Sequence, residues 1–176
     1  NANVALDKYF GELEQRDEFS GVVLITNGQS KLYSAAYGYA SRARKVGNTL
    51  DQFDTASITK LFTSVATLQL IDRGLLSLET GVIDFLELSD TAISQDVNVF
   101  HLLTHTSGIA DDAHEEAGES YEAIWRDKPN YSVTWTILEG HIYEKEGENA
   151  GVSGFIRHYP EQDISVVMLS NMETGA

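Results

Sequence analysis

The stretch Phe53-Asp54-Thr55-Ala56-Ser57-Ile58-Thr59-Lys60-Leu61-Phe62-Thr63 decides how this chain is read. From Ile58 to Leu70 the apolar residues Leu61, Phe62, Val65 and Leu68 fall at helical spacing, and Gly74 after Arg73 supplies a C-terminal stop. The segment therefore predicts a helix with Ser57 at its start. Three residues apart on such a helix, the Ser57 hydroxyl and the Lys60 amine project from one face. Lysine can accept the serine proton once it has lost its own charge, which burial or a neighbouring cation brings about by depressing its pKa. The helix N-terminus also favours negative charge developing beside Ser57. Spacing alone is weak support. Fifteen serines and six lysines in 176 residues leave about half a Ser-x-x-Lys pair to chance, and a helix-start serine beside a solvated lysine is the plainer reading.

Working outward, Val4, Leu6, Phe10 and Leu13 among charged residues predict an amphipathic N-terminal helix that covers a sheet. The runs Gly21 to Thr26 and Lys31 to Tyr39, with a turn signal at Asn27-Gly28, predict two antiparallel strands. A short helical pattern starts near Asn98 with Val99, Leu102 and Leu103 and stops before Ser107-Gly108. The acidic segment Asp111 to Glu122 reads as solvated. Apolar runs at Ile137-Leu138, Ile142-Tyr143, Val152 to Tyr159 and Ile164 to Leu169 predict three or more antiparallel strands. Strands at both ends with helices between them imply that the two ends share one sheet, because isolated hairpins are marginal in water. The expected class is α/β of the α+β type. One domain is expected over 1–176, its sheet region 1–50 and 135–176, its helical region 51–134.

Composition narrows the function. With 42% hydrophobic and 22% charged residues the chain can bury one substantial core. A formal charge of -15 argues against nucleic acid or an anionic membrane as partner and suits a neutral or cationic small molecule. No run is apolar enough for a spanning helix, and a basic-then-apolar leader is not seen at the N-terminus. Without cysteine there is no disulfide framework and no thiolate chemistry. No GxSxG elbow, GxxxxGK loop or GxGxxG turn is found. His101 and His105 stand four apart, but leucine rather than glutamate follows His101, so they read as hydrogen-bonded structural imidazoles and not a zinc pair. The cluster Asp111, Asp112, His114, Glu115 and Glu116 reads as a solvated loop before it reads as a cation site.

The stretch around Ser57, continued through Gln69-Leu70-Ile71-Asp72-Arg73-Gly74-Leu75-Leu76-Ser77-Leu78, resembles the nucleophile segment of the class C beta-lactamase-like serine hydrolases, which include penicillin-binding proteins. His101-Leu102-Leu103-Thr104-His105-Thr106-Ser107-Gly108-Ile109 is similar to that family's HLLTHTSG segment. Lys145-Glu146-Gly147, followed by Gly151-Val152-Ser153-Gly154-Phe155, resembles its K/H-x-G strand, with Glu146 in place of the usual small hydroxyl residue. Tyr159-Pro160-Glu161 and Val166 to Asn171 resemble the closing strands. The resemblance implies an antiparallel sheet flanked by helices, Ser57 as nucleophile, Lys60 as its activating base and Lys145 as a further catalytic cation. It also implies Gly147 and Glu148 as substrate-binding positions, with the amides of Ser57 and Glu148 as oxyanion donors. No metal or organic cofactor is called for. The partner is a small molecule or peptide bearing an amide or ester, in an extracytoplasmic or secreted setting; substrate identity and oligomeric state stay open.

The resemblance breaks at one place. A Tyr-x-Asn or Tyr-x-Ser motif is expected between the HLLTHTSG segment and the K/H-x-G strand, yet Tyr131-Ser132-Val133 lacks the third residue and Tyr39-Ala40-Ser41 lies in an N-terminal strand. The helical region is thus reduced, with the junction near Ser132 to Trp135. Either residues are missing from the sequence as read, or a deletion has removed a catalytic group and part of the substrate wall. The two functional readings are hydrolysis through an acyl-serine intermediate and a catalytically silent binding or scaffold protein that keeps the fold. Intact mass and peptide mapping across 131–135 separate the two origins: a mass above 19.4 kDa is expected, and agreement with it would establish a real deletion.

Overall fold

Strand β1 (Gly21–Asn27) pairs antiparallel on one side with β2 (Ser30–Tyr37) and on the other with the last strand of the chain, so the two ends of the sequence meet in one sheet. The computed structural model describes residues 2–41, 46–47, 52–109, 131–132, 135–139 and 141–172. It divides into two compact units, Asn1–Thr59 with Ile137–Ala176, and Lys60–Thr136.

In the first unit, helix α1 (Ala2–Gln15) precedes β1, and a short ribbon of β3 (Tyr39–Ser41) and β4 (Val46–Gly47) follows β2. The expected hairpin is present, with Asn27 and Ser30 inside the ladder and Gly28-Gln29 as its two-residue loop. The strand expected over 31–39 breaks at Gly38, which takes φ +72°. A Cβ there would come within 2.4 Å of the Ser20 hydroxyl, so only glycine lets the chain turn this close to Ser20. Glu14 accepts the Gly38 N–H at 2.6 Å, and Ser20 Oγ accepts that of Tyr39 at 3.1 Å.

The sheet order continues from β2 and β1 through β9 (Ile164–Ser170) and β8 (Val152–Tyr159) to β7 (Ile142–Asn149), every neighbouring pair antiparallel. Strand β6 (Trp135–Leu138) carries the chain into this unit. Side chains of a strand alternate between faces, and here the two faces differ in task. On one, Phe10 of α1 packs with Phe19, Val23 and Tyr33, joined by Leu6, Leu13 and Met168. Tyr33 donates to Asp7 at 2.8 Å and shares a 2.5 Å hydrogen bond with Tyr37. Burial above all, reinforced by those bonds, pushes the Tyr33 phenol far above its ordinary pKa. The same face holds the ion pair between buried Glu144 and Arg157, directly opposite each other on β7 and β8. The other face carries Lys145 and Gly147 of β7 and Gly154 of β8, and it meets the 3₁₀ turn Ala56–Ile58, whose Ile58 is buried.

In the second unit, α2 (Thr59–Asp72) continues directly from that turn along the chain and ends as expected, with Gly74 N–H bonded to Ile71 O and Leu75 N–H to Leu70 O. The short helix α3 (Val82–Phe85) was not legible from periodicity; the bridge of Gly81 with Asn98 and the 2.9 Å bond from Val82 N–H to Val97 O set its start. Helix α4 (Val99–Leu103) occupies the second expected helical stretch. Strand β5 (Tyr131–Ser132) pairs with β6, Ser132 facing Trp135. The expected acidic loop at 111–122 and part of the expected junction, Val133-Thr134, lie outside the described residues.

A Cβ on Gly147 would sit 2.5 Å from Thr55 O and 3.0 Å from the amide nitrogens of Ser57 and Ile58, distances that rigid backbone cannot absorb. Gly147→Ala is therefore expected to destabilise the protein by about 1–3 kcal/mol, as overpacking does. Phe19→Ala, at a side chain only 2% exposed, should cost about 3–5 kcal/mol. Urea denaturation checks both, as a lower midpoint at unchanged slope.

Candidate active site

Ser57 is the middle residue of the 3₁₀ turn Ala56–Ile58, ahead of α2 rather than at its first position. The turn is closed locally. Ile58 N–H bonds Thr55 O at 2.9 Å, Ala56 N–H bonds the Asp54 carboxylate at 2.7 Å, and the Thr55 and Thr59 hydroxyls meet at 2.8 Å. Ala56 holds φ +43°, a conformation in which an L residue's Cβ crowds its own backbone at a cost of about 1–2 kcal/mol. Such backbone persists only where its surroundings over-determine it, and it concentrates at functional sites.

Behind this turn runs β7. Gly147 faces the backbone of Thr55 to Ile58 with no side chain between. Gly147, a substrate-binding position by resemblance, lies directly against the backbone of the Ser57 turn. Lys145, two residues earlier and on the same face of β7, is buried at 7% exposure. Its neighbour Glu144 points to the opposite face and is neutralised by Arg157. Lys145 thus sits on the face of the Ser57 turn while the adjacent carboxylate is spent elsewhere. Glu146 and Glu148 are exposed on the Glu144 face, opposite Phe155 and Ser153. Glu146 in the triad thus adds no acidic side chain to the Ser57 face.

Lys60 lies in the first turn of α2, one turn along the chain from Ser57, and is exposed. In the second unit a cavity of about 360 Å³ is lined by Lys60, Thr63, Leu76, Val82, Phe85 and His105 among others. Its walls come from α2, α3, α4 and the segments that adjoin them.

Two features escaped the sequence reading. One is the pairing of Asp54 with Ala56, for which an aspartate two residues before a strained position is the available signal. The other is the start of α4. Asn98 accepts the His101 N–H at 3.0 Å, and His101 Nδ1 accepts the Asn98 N–H at 3.3 Å. The imidazole thus stands where glutamate usually stands in a capping box. Tyr39 of the Tyr39-Ala40-Ser41 pattern lies in β3 and is half exposed. Tyr131 lies in β5. The acidic cluster at 111–116 lies outside the described residues.

The comparisons agree with this architecture. The family model described as Beta-lactamase matches residues 6–145, well over half of the chain. Penicillin-binding protein 4 of Amycolatopsis lactamdurans is 31% identical over 121 residues, covering 66% of this chain and 32% of that protein. Esterase EstB of Burkholderia gladioli is 33% identical over 128 residues, covering 68% of this chain and 32% of that protein. The chain thus spans about a third of the length of these curated relatives. The octameric penicillin-binding protein homologue from Pyrococcus abyssi superposes with a TM-score of 0.76 at 15% identity, covering 97% of this chain and 73% of that one. With its antiparallel sheet packed on α1 and its matched sequence segments, the chain belongs to the beta-lactamase family, whose members here include penicillin-binding proteins and an esterase.

Proposed function

We propose that this chain hydrolyses an amide or ester through an acyl-serine intermediate. The Ser57 hydroxyl oxygen attacks the carbonyl carbon as Lys60, in its neutral form, takes the hydroxyl proton. The resulting oxyanion accepts hydrogen bonds from the amides of Ser57 and Glu148. As the tetrahedral species collapses, the bond to the leaving nitrogen or oxygen breaks and that atom takes up a proton. Water then cleaves the acyl-serine ester, releasing a carboxylic acid and restoring the hydroxyl. Lys145 offers a buried positive charge to a substrate carboxylate, and Gly147 keeps the strand edge free of a side chain. These steps call on protein groups throughout. The observation that carries the reading is the close approach of Gly147 to the Ser57 amide, which puts β7 against the nucleophile's backbone as an oxyanion site on that strand requires.

Beta-lactams, peptides bearing D-amino acids and small esters all fit this chemistry, and they differ in the pocket shape they need. The competing reading is a silent binding protein of the same fold. It is favoured by the exposure of Lys60 and by the lack of a convincing tyrosine motif in the sequence.

The test is incubation with a reactive ester and, separately, a chromogenic beta-lactam, with intact mass and turnover read together. The expected result is an adduct on the wild-type protein that disappears in Ser57→Ala, and acylation slowed on the order of a hundred-fold or more in Lys60→Ala. A folded wild-type protein that acquires no adduct from either reagent would overturn this reading in favour of the silent binding protein or of a chain shortened past activity.

A further inference from the structure

Ala56 is held in the left-handed region at φ +43° immediately before the nucleophile position. Nothing in an alanine favours that backbone, so its neighbours must impose it. Two do so from opposite ends of the turn. From β7, Gly147 lies so close to Thr55 O and Ser57 N that the turn cannot relax toward the strand. From the N-terminal side, the Asp54 carboxylate accepts the Ala56 N–H at 2.7 Å. Ile58 N–H to Thr55 O closes the turn around Ala56 and Ser57 but makes no bond to the Ala56 N–H, which the Asp54 carboxylate holds.

We propose that Asp54 is a positioning residue for Ser57: by fixing the Ala56 amide it holds the strained peptide that aims the Ser57 hydroxyl and the Ser57 amide at the same carbonyl. The inference rests on the acyl-serine reading. It assigns Asp54 no contact with substrate and no share in proton transfer. Asp54 is exposed, so its loss opens no cavity in the core and leaves the turn free to move. Without the carboxylate, Ala56 relaxes toward negative φ and turns the Ser57 N–H away from its place. The hydroxyl and the amide then no longer converge.

Three variants separate this role from a general effect on folding. Asp54→Asn keeps an oxygen that can accept the Ala56 N–H, Asp54→Ala removes it, and Asp54→Ala with Ala56→Gly removes both the pin and the strain that requires it. The rate of Ser57 labelling by a fluorophosphonate ester is read by intact mass, alongside hydrogen exchange of the Ala56 amide. The expected result is labelling slowed on the order of ten-fold or more in Asp54→Ala, since small misplacements of reacting groups are costly. Asp54→Asn should stay near wild type, and the added glycine should restore most of the lost rate, because glycine takes positive φ without penalty. Ala56 exchange should quicken in Asp54→Ala alone among the single variants. Unchanged labelling and unchanged exchange in Asp54→Ala would overturn the positioning role. A wild-type protein that takes no label would remove the acyl-serine reading itself, and the positioning role with it.

Discussion

Pairing of the first strand with the last is the constraint on which the rest of the first unit depends. Seven consecutive residue pairs, from Gly21 opposite Ser170 to Asn27 opposite Ile164, lock β1 to β9. Beyond that ladder the register is pinned at one end, where the Ser170 hydroxyl and the Asn171 amide both donate to Ser20 O, at 2.8 and 3.1 Å. A one-residue slip would exchange the two faces of the sheet, and Val23 and Met168 would leave the α1 core. Given β9, the hairpin connections to β8 and β7 follow in order, and the position of Gly147 against the Ser57 turn is inherited from them. The geometry around Ser57 is thus fixed by residues from both ends of the chain.

Strand β7 shows how one element serves two surfaces at once. Its alternation sends Glu144 to the α1 side, where Arg157 neutralises it, and Lys145 with Gly147 to the Ser57 side. Removing two charges from water is costly unless they are paired, and the pairing across β7 and β8 satisfies Glu144 without drawing on Lys145. Among the described residues no buried side-chain nitrogen or oxygen lacks a hydrogen-bond partner. Alternation along β7 thus lets Lys145 and Glu144, both buried and adjacent in sequence, serve opposite faces of the sheet.

Much of this was legible in the sequence, and the reasons are physical. The Asn27-Gly28 turn, the helix after Ser57 with its stop at Gly74, and the tail strands all carry periodic patterns or turn residues that act over short range. The Lys145-Glu146-Gly147 strand was found through resemblance, since its burial depends on cross-strand neighbours that no local pattern encodes. The break at Gly38 depends on Ser20, far away in sequence, and the α3 helix on a bridge between Gly81 and Asn98. The histidine in the capping box of α4 escaped because a ring nitrogen there performs the task usually assigned to glutamate. Lys60 is exposed, which the pattern left open; along a helix with apolar residues on several sides, spacing does not reveal which side meets water.

That last point extends to α2 as a whole. Only Leu61 and Ser64 of its fourteen residues are buried, while Phe62, Val65 and Leu68 are exposed, as are Phe85, Leu86, Phe100 and Leu102 on α3, α4 and the residue after α3. Isolated apolar residues are ordinary on a protein surface, but a gathering of this size in one unit is not. Among the described residues these rings and branches give the second unit an apolar surface over which water must order. It will take up environment-sensitive dyes, adsorb to air bubbles and plastic, and scatter light as concentration rises.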